Sequence, residues 1–320
     1  MEKEKIHITV CLDKGFVMPT GVMMYSVCVN NIDVDIDFHI LIDESVSEKD
    51  QQDLKDTIYN YHGKRIIFYS VKNNSVLSFP LNRADLTRAS YYRLFLSDIL
   101  PSTINKVLYL DGDIIVRHSL MPLWHTDLNS YAVGAAIDVD EGLRNRYNRL
   151  QYPFEKGYFN AGVLLINLKY WRDNNIVKEF VEYLNNYPER IDNEDQDVMN
   201  VVLQDIKQSI HVKYNFQTGF LRKVRGWNYC EHESEVNIGM QDPVIVHFSE
   251  RRKPWRTDLR YPHPYKNTFL KYQGQTKWKN CCYDPRPLNK KIRNMIGDFL
   301  RIIGLKEKKI NPFIDIPPID

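Results

Sequence analysis

Five cysteines in 320 residues (Cys11, Cys28, Cys230, Cys281 and Cys282) are too few, and odd in number, for a disulfide framework. Cys281 and Cys282 are adjacent, and no second Cys/His pair at zinc-finger spacing accompanies them, which leaves unpaired thiols. A surplus of one charge is also missing: 43 Lys and Arg against 41 Asp and Glu give a formal net charge of +2. Nothing global therefore draws the chain to a polyanion. The basic residues also lack the interleaved aromatic platform that nucleic-acid binding uses. Long apolar runs are absent too. The opening Met-Glu-Lys-Glu-Lys leads into Ile6–Leu12, too short and wrongly flanked for a signal peptide, and no run has the length of a membrane span. A cytoplasmic location is the expectation, with any membrane contact peripheral. No internal repeat occurs, and no Pro/Gly/Ser linker interrupts the chain before about residue 255.

What is present is an ordinary globular composition, 43% hydrophobic and 26% charged. Ile6–Leu12, Phe38–Ile42, Arg65–Val71 and Lys106–Leu110 are short runs bounded by polar or turn residues, and they read as buried strands. Tyr131–Ile137, Val163–Leu168 and Val244–Phe248 read the same way. Helical spacing lies between them: Thr20–Asn30, Ser47–Tyr61 behind a Ser47…Asp50 capping pattern, Tyr91–Leu100, Tyr170–Tyr187 and Glu194–Asp205. Alternating strands and helices predict an α/β fold with a mostly parallel sheet. Val139–Gly157 is polar, rich in Arg and Tyr and without a period, so it reads as a loop near the active site. After Pro254 the texture changes, and Leu288–Leu305 forms a basic amphipathic segment. Ile292, Met295, Ile296, Phe299, Leu300 and Ile303 lie on one face, with Lys290, Lys291, Arg293 and Arg301 elsewhere.

The most informative stretch is Lys106-Val-Leu-Tyr-Leu-Asp111-Gly112-Asp113-Ile114-Ile115-Val116. An apolar strand runs directly into two carboxylates one residue apart, and in α/β sheets ligands collect beyond the C-terminal ends of strands. Hard cations such as Mn²⁺ or Mg²⁺ prefer such oxygen ligands and can neutralise a leaving diphosphate. Gly112 between them leaves room for close backbone approach. His247 ends the run Val244–Phe248, where imidazole can add a third ligand or serve as a hydrogen-bonded structural residue. Lys253 can meet a phosphate as a point charge. Asn160 precedes a buried strand and can bond a sugar hydroxyl or cap a turn. Glu194-Asp195-Gln196-Asp197 opens an apolar helix, where carboxylates also complement the helix dipole.

Together the strings KVLYLDGDIIV, YFNAGVLLINL, EDQD and HFSERRKPW, in this order and spacing, resemble glycosyltransferase family 8, in particular its bacterial lipopolysaccharide galactosyl- and glucosyltransferases. The resemblance runs from about Ile6 to Trp255. It implies a GT-A fold: a catalytic domain over 1–255 with a small helical C-terminal extension over 256–320. It implies a UDP-hexose donor (glucose or galactose), Mn²⁺ or Mg²⁺ as cofactor, retention of anomeric configuration and a cell-envelope glycan or lipid-linked acceptor. Carried over position by position, Asp111, Asp113 and His247 correspond to metal ligands and Asp13 to the carboxylate that receives the uridine. Arg93 and Asp138 correspond to donor-sugar contacts, Asn160, Asp195 and Gln196 to residues flanking the transferred sugar, and Lys253 to a diphosphate contact.

Two positions depart from the family pattern. Glu250 replaces a glycine beside the diphosphate, where a carboxylate repels phosphate unless it turns outward, for example toward Arg251 or Arg252. Gly15 replaces an asparagine that contacts the nucleoside. Two other readings stay open at this stage. One is a glycogenin-like initiator that glucosylates one of its own 20 tyrosines. The other is a UDP-sugar-binding protein without catalysis.

Overall fold

The computed structural model describes residues 4–71, 79, 88–140, 142–223, 229–257, 261–282, 288–307 and 311–314. The first half runs β1 (Lys5–Leu12), α1 (Val17–Asn30), β2 (Asp35–Ile42), α2 (Glu48–Ile58), β3 (Lys64–Ser70), α3 (Leu96–Ile99), β4 (Lys106–Leu110), β5 (Ile114–Val116), α4 (Met121–Trp124) and β6 (Val133–Ile137). It continues with α5 (Arg144–Leu150), β7 (Phe159–Asn167), α6 (Leu168–Asp173), α7 (Ile176–Asn186), α8 (Glu194–Val202), β8 (Lys207–Ser209) and β9 (Phe216–Gln217). The last elements are α9 (Tyr229–Gln241), β10 (Ile245–His247), α10 (Lys266–Gln273) and α11 (Leu288–Ile302).

Seven strands form one sheet in the order β3-β2-β1-β4-β7-β6-β8. All run parallel except β7, which is antiparallel to both of its neighbours. Residues 107–110 of β4 and 159–166 of β7, at the centre of the sheet, are buried because both faces are covered. Alternation along each strand deals residues to two cores: Leu108 and Leu110 with Val163 and Leu165 on one side, Val107 and Tyr109 with Leu164 and Ile166 on the other. The strand order reverses between β1 and β4, and this opens a crevice at their C-terminal ends. A second sheet, β5-β10-β9, grows directly from the turn after β4. Its core, with Phe216, Val246 and Phe248, also takes in Tyr265, Phe269 and Phe313 from the C-terminal region.

Ser47 caps α2 with the reciprocal bond to Asp50 that the sequence predicts. Four local expectations differ. β3, read from the sequence as a buried strand, lies at the sheet edge with no fully buried residue. Tyr170–Tyr187 is two helices, because Asn175 turns into the left-handed region at φ 54°. Tyr91–Leu100 is mostly 3₁₀ before its short α3 turn. The stretch 139–157 contains α5 rather than loop alone. This helix is fixed by aromatic contacts (Tyr147 with Tyr152 and Phe154) and by Arg146 lying 4.1 Å over the Tyr158 ring, neither of which leaves an apolar period.

The amphipathic α11 turns its apolar face to solvent. Met295, Ile296 and Phe299 are 71%, 55% and 60% exposed. Beyond it the chain returns to the core of the second sheet. Lys223 N–H donates to the Pro312 carbonyl and Ile314 N–H to the Leu221 carbonyl, both at 2.8 Å, while Phe313 is buried. No helix among the described residues is long and apolar enough to cross a membrane. Cys11, Cys28, Cys281 and Cys282 are free thiols.

Candidate active site

A cavity of about 1350 Å³ opens at the crevice between β1 and β4. Asp13, Arg93, Asp111, Gly112, Asp113, Asp138, Asn160, Asp195, Gln196, His247 and Lys253, from separate parts of the sequence, all line it. Three features of the fold bring them together. β1 and β4 end there, delivering Asp13, Asp111 and Asp113. The reversed β7 begins there, delivering Asn160. β10 ends there, delivering His247 from the second sheet.

Asp111, Asp113 and His247 each place a ligand atom within 4.8 Å of the others. His247 Nε2 lies 3.7 Å from Asp111 Oδ2 and 3.4 Å from Asp113 Oδ1. Its other ring nitrogen, Nδ1, sits 2.9 Å from Asn215 Oδ1. An oxygen there requires Nδ1 to carry the proton, which leaves the Nε2 lone pair facing the carboxylates. Gly162 makes the room. A Cβ on it would fall 2.2 Å from His247 Cε1 and 2.9 Å from Asp111 Oδ2. Two carboxylates and a tautomer-fixed imidazole suit a divalent cation of the Mn²⁺ type, and the residues present fit such an ion. The close approach at Gly112 is to protein, since a Cβ there would meet Thr20 Oγ1 at 2.5 Å.

The charges around this triad are arranged unevenly. Burial alone would push the Asp113 carboxyl up, but the Lys253 ammonium, joined by His247 when its ring is protonated, outweighs it and holds it well below the ordinary carboxylate range. Lys253 Nζ donates to Asp113 Oδ2 at 2.5 Å and to the Phe248 carbonyl at 2.6 Å. Arg93, fully enclosed, reaches Asp111 at 3.0 Å and Asp195 at 3.1 Å, donates to the Ala161 carbonyl and lies over the Tyr109 ring. Tyr109 donates its own hydroxyl to Asp111 at 2.8 Å. Asp195 behaves oppositely to Asp113. Burial raises it to about 7, since the Arg93 charge opposes that shift only partly and Asp111 adds to it.

A second polar cluster adjoins the triad. Asn160 Nδ2 and Gln196 Nε2 both donate to Asp138 Oδ2, at 3.0 and 3.1 Å, and Gln196 Oε1 accepts from the Ala161 N–H. Arg146 approaches Asp138 from α5. Gln217 fixes the backbone on either side of Asp138 by accepting from Val139 N–H and donating to the Ile137 carbonyl. Asn215 donates to Asn160 Oδ1 at 2.9 Å and so links this second cluster to His247. The α8 start that presents Asp195 is strained, with Glu194 at φ 35°. Asp13 accepts from the Gly15 N–H at 2.7 Å and remains on the cavity wall. Glu250 pairs with neither Arg251 nor Arg252, as its chain position suggests, but with Arg222 at 2.6 Å.

Gly162, Asn215, Gln217 and Arg222 were not legible as site residues. The glycine lies inside the string YFNAGVLLINL, but nothing in that string shows that the histidine ring would lie against it. Asn215 precedes β9, Gln217 ends it and Arg222 follows it, in a stretch that carries no motif.

Comparison with known proteins gives concordant results. Residues 7–258 match the profile of glycosyl transferase family 8. The lipopolysaccharide 1,3-galactosyltransferase of Salmonella typhimurium is 30% identical over 88% of this chain and 81% of its own length. General stress protein A of Bacillus subtilis is 28% identical over 87% of this chain and 96% of its own. Among solved structures, the galactosyltransferase LgtC in complex with donor and acceptor sugar analogs superposes with a TM-score of 0.74. It is 27% identical and covers 90% of this chain and 100% of its own.

Proposed function

The chain belongs to glycosyltransferase family 8, and from that premise we propose that it transfers a hexose from a UDP-sugar to an acceptor hydroxyl with retention of configuration. It is an enzyme of GT-A fold, a glycosyltransferase. The observation that carries the donor reading is the Asp111–Asp113–His247 triad, open to the same cavity as Asp13 and Lys253. When bound there, Mn²⁺ or Mg²⁺ supplies charge neutralisation for a diphosphate leaving group.

The protein's own residues do the rest. Asp13 receives the uridine at the end of β1, and Lys253 adds a positive charge against the phosphates. Asp138, Asn160 and Gln196, locked to one another, orient the sugar hydroxyls, and Arg93 holds Asp111 and Asp195 in register. Asp138 already accepts bonds from Asn160 and Gln196, and Asp195 is held by Arg93. Neither offers a free anionic nucleophile. We therefore favour attack from the front face, with the leaving phosphate oxygen taking the acceptor proton. A covalent hexosyl adduct trapped on any carboxylate would sink that reading.

We assign residues 1–255 to catalysis and 256–320 to an extension. The acceptor class we favour is a cell-envelope glycan or lipid-linked saccharide, reached from the cytoplasmic side. Support comes from the similarity to the Salmonella lipopolysaccharide 1,3-galactosyltransferase and from the exposed apolar face of α11, set among basic residues and suited to lying on a membrane surface.

The test is UDP release from a panel of UDP-sugars, with and without Mn²⁺ and without acceptor. One UDP-hexose hydrolysed slowly and only with the metal is the expected result, and Asp113→Asn should abolish it while leaving the melting transition in place. Metal-independent release, or an undiminished variant, would overturn the assignment. Hexose appearing on the intact protein mass would instead favour a self-glucosylating initiator.

A further inference from the structure

Glu250 places a carboxylate on the wall of the cavity that, on the reading above, holds a diphosphate. An unrestrained anion there would repel the phosphates and compete for Lys253, only three residues away. The structure gives Glu250 another partner. Arg222 Nη2 lies 2.6 Å from Glu250 Oε2, a charge-assisted bond. Arg222 is itself held in place from outside the catalytic segment. It forms an isolated antiparallel bridge with Phe313, flanked by the Lys223-to-Pro312 and Ile314-to-Leu221 hydrogen bonds. Phe313 is 1% exposed and its ring lies 5.8 Å from that of His263, which in turn lies 4.6 Å from the Phe248 ring, next in sequence to His247.

We propose that Arg222 is a positioning residue for the donor: it neutralises and restrains Glu250, and the returning segment 311–314 keeps Arg222 in place to do so. The donor site of this chain thereby tolerates a carboxylate where a glycine is expected. The extension beyond the catalytic segment becomes part of donor binding.

This inference rests on the UDP-sugar reading, and the experiment separates the two. UDP affinity is measured by calorimetry in saturating Mn²⁺ for the wild type, Arg222→Ala, Glu250→Gln and the double variant, each first shown to melt cooperatively. We expect Arg222→Ala to bind UDP roughly tenfold more weakly, the effect of one uncompensated charge close to the phosphates. Glu250→Gln should remain within about twofold of the wild type, and in the double variant it should restore affinity to that same range. Restoration is the diagnostic step, since a merely structural arginine would not be rescued by removing its partner's charge. Arg222→Ala binding like the wild type, or a double variant as weak as Arg222→Ala alone, would overturn the inference. A wild type that binds no UDP in Mn²⁺ would overturn the donor reading itself, before any variant is made, and this inference with it.

Discussion

Gly162 carries no functional group, yet the metal triad depends on its having none. His247 and Asp111 both pass within 3 Å of where its Cβ would be, and neither is the free end of a flexible chain. His247 is tied to Asn215, and Asp111 to Tyr109 and Arg93. Gly162→Ala should therefore displace the imidazole and lower Mn²⁺ affinity by roughly 10- to 100-fold. A Mn²⁺ titration beside a thermal melt checks this, and unchanged affinity would show that the triad relaxes freely. The contrast with Asp111 and Asp113 explains what sequence could reveal. Two carboxylates one residue apart after an apolar strand announce themselves. A missing methyl group matters only through what lies across from it, and that neighbour comes from another sheet.

At the scale of elements, β1, β2, β3, β4 and β6 were legible because each holds a short apolar run, whereas the polar β8 and the direction of β7 were not. An apolar strand buried on both faces reads identically in either direction, and only its pairing with β4 and β6 reveals the reversal. The reversal matters, because it brings Asn160 and Gly162 to the crevice instead of the far edge. Another feature spans strands: His7, His39 and Tyr69, on β1, β2 and β3, form a hydrogen-bonded row, with contacts of 3.0 Å on either side of His39. Burial, aided by the neighbouring His7, lowers His39 to about 4. Burial likewise lowers His263 to about 3. Unfolded histidine titrates near 6.5, so below that pH the unfolded chain binds protons that these sites refuse. Their contribution to stability is complete above about pH 6.5 and is lost as the pH falls toward the folded values. For His39 alone the loss amounts to roughly 3 kcal/mol. Urea unfolding between pH 7.5 and 4.5 should show this decline, and His39→Gln should flatten its share of it. An unaltered slope in the variant would refute the assignment.

At the scale of the whole molecule, the amphipathic period of α11 was legible, but not which way it faces. Sequence cannot distinguish a stripe meant for the core from one left outside. The fold leaves it outside while Phe313, farther along, is drawn into the core. Deleting everything after residue 287 would thus remove Phe313 as well as the exposed helix, and a failed truncation would be ambiguous. Substitution on the face is cleaner: Ile296→Glu with Phe299→Glu should reduce co-sedimentation with phosphatidylglycerol vesicles several-fold and leave UDP release in solution unchanged. Vesicle binding equal to the wild type would remove the membrane reading. The triad also has a whole-molecule consequence. Asp111 ends the large sheet, while Asp113 and His247 adjoin strands of the small one, so a bound cation would add a tie between two layers already joined by the β4–β5 turn and the His247–Asn215–Asn160 bonds. An ion at a hundred times its dissociation constant stabilises the folded chain over the unfolded one by about 2.7 kcal/mol. Amides of β5 and β10 should then exchange with deuterium more slowly in Mn²⁺ than in chelator, which would make the cation a clasp between the sheets before any sugar arrives.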